Sequence, residues 1–116
     1  MTAPNLASPS NITGKTAVQA VGTSATAIIT NSTGSNTVIK VNALYVSNVS
    51  ASPANITVDV YRSASAYRIS YAMSVSVGVT IDILSKSIYL EEGDSLRLTA
   101  GTASALEAVG SYEVIA

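Results

Sequence analysis

The feature that most constrains this chain is a period of two. In residues 55–61, Ile56, Val58 and Val60 alternate with Thr57, Asp59 and Tyr61, the pattern of a strand with one face in a core and the other in water. The pattern recurs. Tyr67, Ile69, Tyr71, Met73 and Val75 alternate with Arg68, Ser70, Ala72 and Ser74, and Val79, Ile81 and Ile83 alternate with Thr80 and Asp82. No segment has apolar residues at helical spacing. Clusters of Ser, Thr, Asn and Gly break the chain at residues 31–36 and 50–54, and such residues favour turns over ladders.

The runs between breaks cover residues 15–21, 23–30, 37–49, 55–61, 67–75, 79–83, 88–90, 96–98 and 106–115. Residues 88–90 and 96–98 flank Glu91, Glu92, Gly93 and Asp94 and read as a β-hairpin around an acidic turn, with Gly93 supplying a positive φ at no steric cost. In the long run 37–49 the parity changes: Ile39 and Val41 share one face, and Leu44 and Val46 share the other. Three arrangements fit: a bulge near Asn42, a strand covered on both faces, or one face covered by a neighbouring subunit. The expected fold is all-β, a single antiparallel sandwich of jelly-roll or immunoglobulin-like form with about eight strands. Residues 1–14, with Pro4, Pro9 and Gly14 and no periodicity, read as an extended N-terminal arm, and residues 15–116 as the sandwich domain.

Composition sets the chemistry. The 116 residues include no Phe, Trp, His or Cys, so the core must come from Val, Ile, Leu and Ala. Without His the commonest general base is missing, and without Cys there is neither a thiol nucleophile nor a disulfide framework. Zinc sites of the imidazole or thiolate kind are excluded. We therefore expect no enzyme, no catalytic or cofactor-binding residues, no metal site and no cofactor. Charged residues make up 11% of the chain and nearly cancel to −1; a nucleic-acid partner, which needs a basic stripe, is not expected. So weakly charged a surface also favours association, which points to a homo-oligomer. The first residues lack the basic and apolar regions of a secretory signal, and no stretch approaches the roughly 20 apolar residues of a membrane span, so no membrane partner is expected.

Four features remain for binding or catalysis. Asp59 and Asp82 fall on the polar faces of their strands and could form a glycosidase-like carboxylate pair if the strands were neighbours; we read both as solvated charges that discourage edge aggregation. The cluster 91–94 offers oxygens for a weak Ca²⁺ site, but reads better as a turn solvated by its own charges. Tyr67 and Tyr71 share a face and read as core; Tyr61, beside Arg62, is the better contact residue, for a protein or a carbohydrate. The Asn-X-Ser/Thr matches at Asn11, Asn31, Asn48 and Asn55 are chance products of the composition.

The segments IKVNALYVSNV (39–49), VDVYR (58–62), IYLEEGDSLR (88–97) and SYEVI (111–115), with the opening TAPNL and TGKTA, resemble small virion structural proteins of tailed bacteriophages, particularly those infecting cyanobacteria. The resemblance covers most of the chain, and IYLEEGDSLR with SYE is its most specific part. It implies a β-sandwich without enzymatic motifs, located in the virion and assembled in the host cytoplasm. The leading implied role is a capsid decoration (cement) protein that stabilises the head shell, with the major capsid protein as partner and a symmetric oligomer, possibly a trimer, as its state. A neck, tail or fibre component, or a carbohydrate-binding adsorption module, is the alternative.

Overall fold

The computed structural model describes residues 4–116 as an all-β sandwich of two antiparallel sheets. Among the described residues there are nine strands: β1 (Ile12–Ala20), β2 (Thr26–Thr30), β3 (Val38–Asn48), β4 (Ala54–Arg62), β5 (Ser65–Val75), β6 (Thr80–Asp82), β7 (Ile88–Leu90), β8 (Ser95–Ala100) and β9 (Leu106–Ile115). One sheet runs β1-β9-β3, with β6 and β7 end to end along the far side of β3; the other runs β2-β8-β4-β5. Apart from the β4–β5 hairpin and the β6–β7 step, successive strands lie in opposite sheets. This is jelly-roll connectivity, with β6 and β7 acting as one interrupted strand, the sixth of eight.

Two expectations about elements change. The run 88–98 is not a hairpin: β7 pairs with β3 and β8 with β2 and β4, so the acidic turn carries the chain from one sheet to the other. Strand β1 begins at Ile12, so residues 12–14 of the segment read as an arm are strand, bound in register to Ile115, Val114 and Glu113. Small polar neighbours hid that strand. The first three residues of the arm lie outside the described residues.

The parity change in β3 is a bulge. Pairing with β9 passes from Val41↔Tyr112 to Ala43↔Ser111 and leaves Asn42 as the extra residue. Ile39 and Val41 before it, and Leu44 and Val46 after it, therefore all point inward and are at most 4% exposed. The interruption between β6 and β7 lies beside the same bulge. There the Asp82 carboxylate accepts the N–H groups of Leu44 and Leu84, both at 3.1 Å, and Leu44 C=O accepts from Ile83 N–H at 2.8 Å.

The core is Val, Ile, Leu and Ala, with Ile56, Val58, Leu44, Leu90, Leu96 and Leu98 fully enclosed; each such side chain contributes about 1.5–3 kcal/mol. Gly110 of β9 faces the core, where an added Cβ would lie in ordinary van der Waals contact with Ile29 Cδ1 at 3.4 Å and Leu44 Cδ1 at 3.7 Å. Two buried asparagines pin loops to the core. Asn31 donates to Thr37 and Leu90 carbonyls and accepts from Ser35 and Thr37 hydroxyls. Asn48 donates to Ser52 and Val75 carbonyls and accepts from Ser50. Each satisfies its whole amide inside the protein, and neither is placed to carry a glycan.

Candidate interaction surfaces

The outer face of the four-stranded sheet carries a polar ladder. Asp59 on β4 faces Arg97 on β8 and Arg68 on β5 in register. Arg97 grips the Asp59 carboxylate with Nε at 2.9 Å and Nη2 at 3.4 Å, and its guanidinium lies 3.9 Å from the Tyr61 ring centroid. Asp59 is thereby 2% exposed. The expectation of a solvated surface charge fails here because an outer-face position is not a wet one when a planar cation covers it. Nor can Asp59 and Asp82 form a carboxylate pair, since β4 and β6 belong to different sheets, and Asp82 is engaged with backbone at the β3 bulge. Tyr61, read as a free contact residue, is half-buried under Arg97.

The acidic turn is not solvated by its own charges either. Asp94 is 1% exposed. It receives Arg62 Nε at 2.7 Å and Nη2 at 2.5 Å, and its Oδ2 also accepts Glu91 N–H at 2.8 Å. Glu91 adds a second, exposed contact to Arg62 at 2.8 Å. The hydrogen bonds from Arg62 hold the Asp94 carboxyl below its ordinary range, because they favour the charged form. Gly93, at φ 90°, takes the left-handed corner as expected, and its N–H donates to Asn31 C=O. Both oxygens of Asp94 are thus committed to Arg62 and backbone.

The largest correction concerns β5. Tyr67 is 62% and Tyr71 74% exposed, with Ile69 and Met73 each at 39%; none of the four is core. Strand β5 is the outer strand of its sheet, and what faces it across the sandwich is the short, interrupted pair β6 and β7. The sandwich therefore gapes along this edge. Two hollows of about 520 and 410 Å³ meet at Ile69; the first is lined by Tyr71, Met73, Ile81 and Ile83, the second by Val60, Tyr67, Ile88 and Tyr89. Alternation in sequence does not carry through β5: its pairing with β4 shifts register twice, so that Ser70, read as polar-faced, stands opposite buried Val58, and alternation says nothing of whether the inward side is covered. The available signal was the brevity of the runs that became β6 and β7.

A second apolar feature escaped the sequence reading. Across the outer face of the other sheet, Val18, Val109 and Tyr45 stand side by side in register on β1, β9 and β3, at 75%, 40% and 44% exposure. Each is a single apolar residue within a polar run, and only strand pairing brings them into a row.

No family model matches the chain, and no curated protein matches it. Among solved structures, one described as "Bacillus endospore appendages form a novel family of disulfide-linked pili" matches with a TM-score of 0.54 at 14% identity, over 90% of this chain and 85% of that one. The likeness is one of fold. This chain has no cysteine.

Proposed function

We propose that this chain is a non-catalytic structural subunit that works by packing against other proteins in a larger assembly. The observation that carries the reading is the gaping β5 edge, where exposed Tyr67, Tyr71, Ile69 and Met73 stand over an apolar cleft. Apolar surface of this kind on a small domain is characteristic of interaction sites, and the two tyrosines offer rigid, amphipathic anchors. The charged groups support the same reading: Asp59, Arg97, Arg62 and Asp94 neutralise one another structurally, so none is poised for acid–base work. A jelly roll shared with a protein of a pilus is in keeping with a building-block role.

The finer assignment rests on the resemblance to tailed-phage virion proteins: a decoration protein on the head shell, its partner the major capsid protein, assembling as a homo-oligomer. Particles stripped of the protein and incubated with the purified chain should take it up on the shell, seen by cosedimentation and by electron microscopy. Uptake on neck or tail would move the assignment to those parts. Failure to bind any particle fraction would remove the virion role.

The exposure of Tyr67 and Tyr71 supports one second reading, a carbohydrate-binding module, since sugar rings stack on aromatic faces. It expects glycan-array binding that Tyr67→Ala and Tyr71→Ala abolish.

A further inference from the structure

The opposite edge of the molecule carries its own interface. Strand β1 is the outer strand of its sheet, and among the described residues no strand pairs with its free side. Its nine residues run against β9 without a register shift, Ile12↔Ile115 through Ala20↔Glu107. The polarity of the free side follows from the hydrogen bonds at the two ends. Asn11 and Ala116 exchange bonds in both directions, at 3.1 and 2.8 Å, and Val21 N–H donates to Leu106 C=O at 3.0 Å. In an antiparallel ladder bonded and non-bonded pairs alternate, so the odd-numbered residues of β1 spend their backbone groups on β9. The even-numbered ones, Ile12, Gly14, Thr16, Val18 and Ala20, turn both N–H and C=O away from the sheet.

An outward row this regular is a template for another strand. Proline and bulges, two of the usual means of blunting an edge, are absent from β1; Lys15, on the same side as core-packed Ala17, is its one charge. We propose that two copies of this chain pair through β1, antiparallel about a two-fold axis at Thr16, joining their sheets into one. The inference rests on the reading of the chain as an assembling subunit and names one partner surface for it.

The pairing is self-complementary, as an isologous contact requires. With the axis at Thr16, even meets even: Thr16 faces its own copy, Val18 faces Gly14 and Ile12 faces Ala20. Every outward donor then has an outward acceptor opposite. Lys15 faces Ala17, so no like charges stand directly opposed. On the outer face, exposed Val18 meets a glycine that has open space where a side chain would be.

Two substitutions test this without touching the β9 ladder. Thr16→Pro removes an outward N–H and sets a ring against the partner; Val18→Lys places a charge beside the axis at a position already 75% exposed. Sedimentation equilibrium of the wild-type chain should give a concentration-dependent dimer, and each variant should weaken it by about tenfold or more with an unchanged far-ultraviolet spectrum. Hydrogen exchange supplies an independent readout. In the dimer the amides of Gly14, Thr16 and Val18 should be protected along with those of Thr13, Lys15 and Ala17; in Val18→Lys only the odd set should remain slow. Association that survives both variants, with the even amides exchanging freely, would overturn pairing through β1 while leaving the assembling-subunit reading in place. A chain that stays single at every concentration and binds no particle would overturn both.

Discussion

The two outer strands, β1 and β5, solve the same problem in opposite ways. Strand β1 pairs with β9 in nine steps of unbroken register, and its exposed positions mix small residues, Thr13, Gly14, Thr16 and Ala20, with Ile12, Lys15 and Val18. Strand β5 is longer, at eleven residues, but its pairing with β4 shifts register between Ile56 and Val58 and again between Val58 and Asp59. At the first shift Ala72 takes φ 47°, and its N–H turns to Thr57 Oγ1 at 3.0 Å. Bulges twist an edge out of line and stop a further strand from adding to it. So β5 withholds its backbone and offers side chains, whereas β1 offers its backbone. One molecule thus has an edge suited to sheet extension and another suited to packing.

The sharpest way to break this contrast is through the support beneath β5. Arg97→Ala uncovers Asp59 to water and removes a two-pronged, charge-assisted hydrogen-bonded pair, a loss of about 2 kcal/mol. The loss should appear in urea denaturation as a lower midpoint at unchanged slope. Under native conditions amides of β4, β5 and β8 should exchange faster, while the odd-numbered amides of β1 change little. Equal loosening of both edges would mean that the two halves open as a single unit.

The turn between β7 and β8 gives a smaller, pH-dependent effect. Asp94→Asn should cost about 1–2 kcal/mol at neutral pH, discounted because Arg62 is 47% exposed and partly screened by solvent. Because the folded-state pKa of Asp94 lies below that of an ordinary aspartate, the native state holds its charge after the unfolded chain has taken up a proton. This contribution is therefore fully present above the unfolded value and is lost as pH falls through the lower, folded one. Stability of the wild type and Asp94→Asn should converge in that acidic window. A gap that persists at the lowest pH would assign the cost to packing and not to charge.

Legibility in the sequence followed chemistry and stopped at cover. The phase change around Asn42, the strand 106–115 and the Gly93 corner were readable, because period and glycine report backbone geometry directly. The β4–β5 hairpin was not. It turns on Ser63 and Ala64, at φ 51° and 61°, where turn grammar expects asparagine and glycine. The acidic turn misled in another way: a glycine between two short apolar runs serves a hairpin and a crossover between sheets equally well. What decides for the crossover is Arg62, 29 residues before Glu91 in the chain, and no local pattern announces it. Asp59 and Tyr67 were misplaced for complementary reasons. Each was assigned to the correct side of its strand, but Arg97 covers the side expected to be wet, and nothing comparable covers the side expected to be dry.

The finest test of the two edges is one substitution made on each. Glycine in a strand ordinarily costs about 0.5–1 kcal/mol through lost chain entropy, and Ala17→Gly on β1 should pay that, plus a little for a partly buried methyl packed on the core. Ala72→Gly on β5 should do the reverse. A left-handed backbone costs a residue with a Cβ roughly 1–2 kcal/mol, which glycine escapes, and Ala72 is exposed, so its methyl contributes little packing. The expected net gain is about 0.5–1 kcal/mol, visible as a higher Tm, set against a lower Tm for Ala17→Gly. The opposite signs follow only if the bulge at Ala72 holds strain that β1 lacks. Two losses of equal size would mean that the bend in β5 is relaxed, and that its apolar side chains, not its backbone, decide what can dock there.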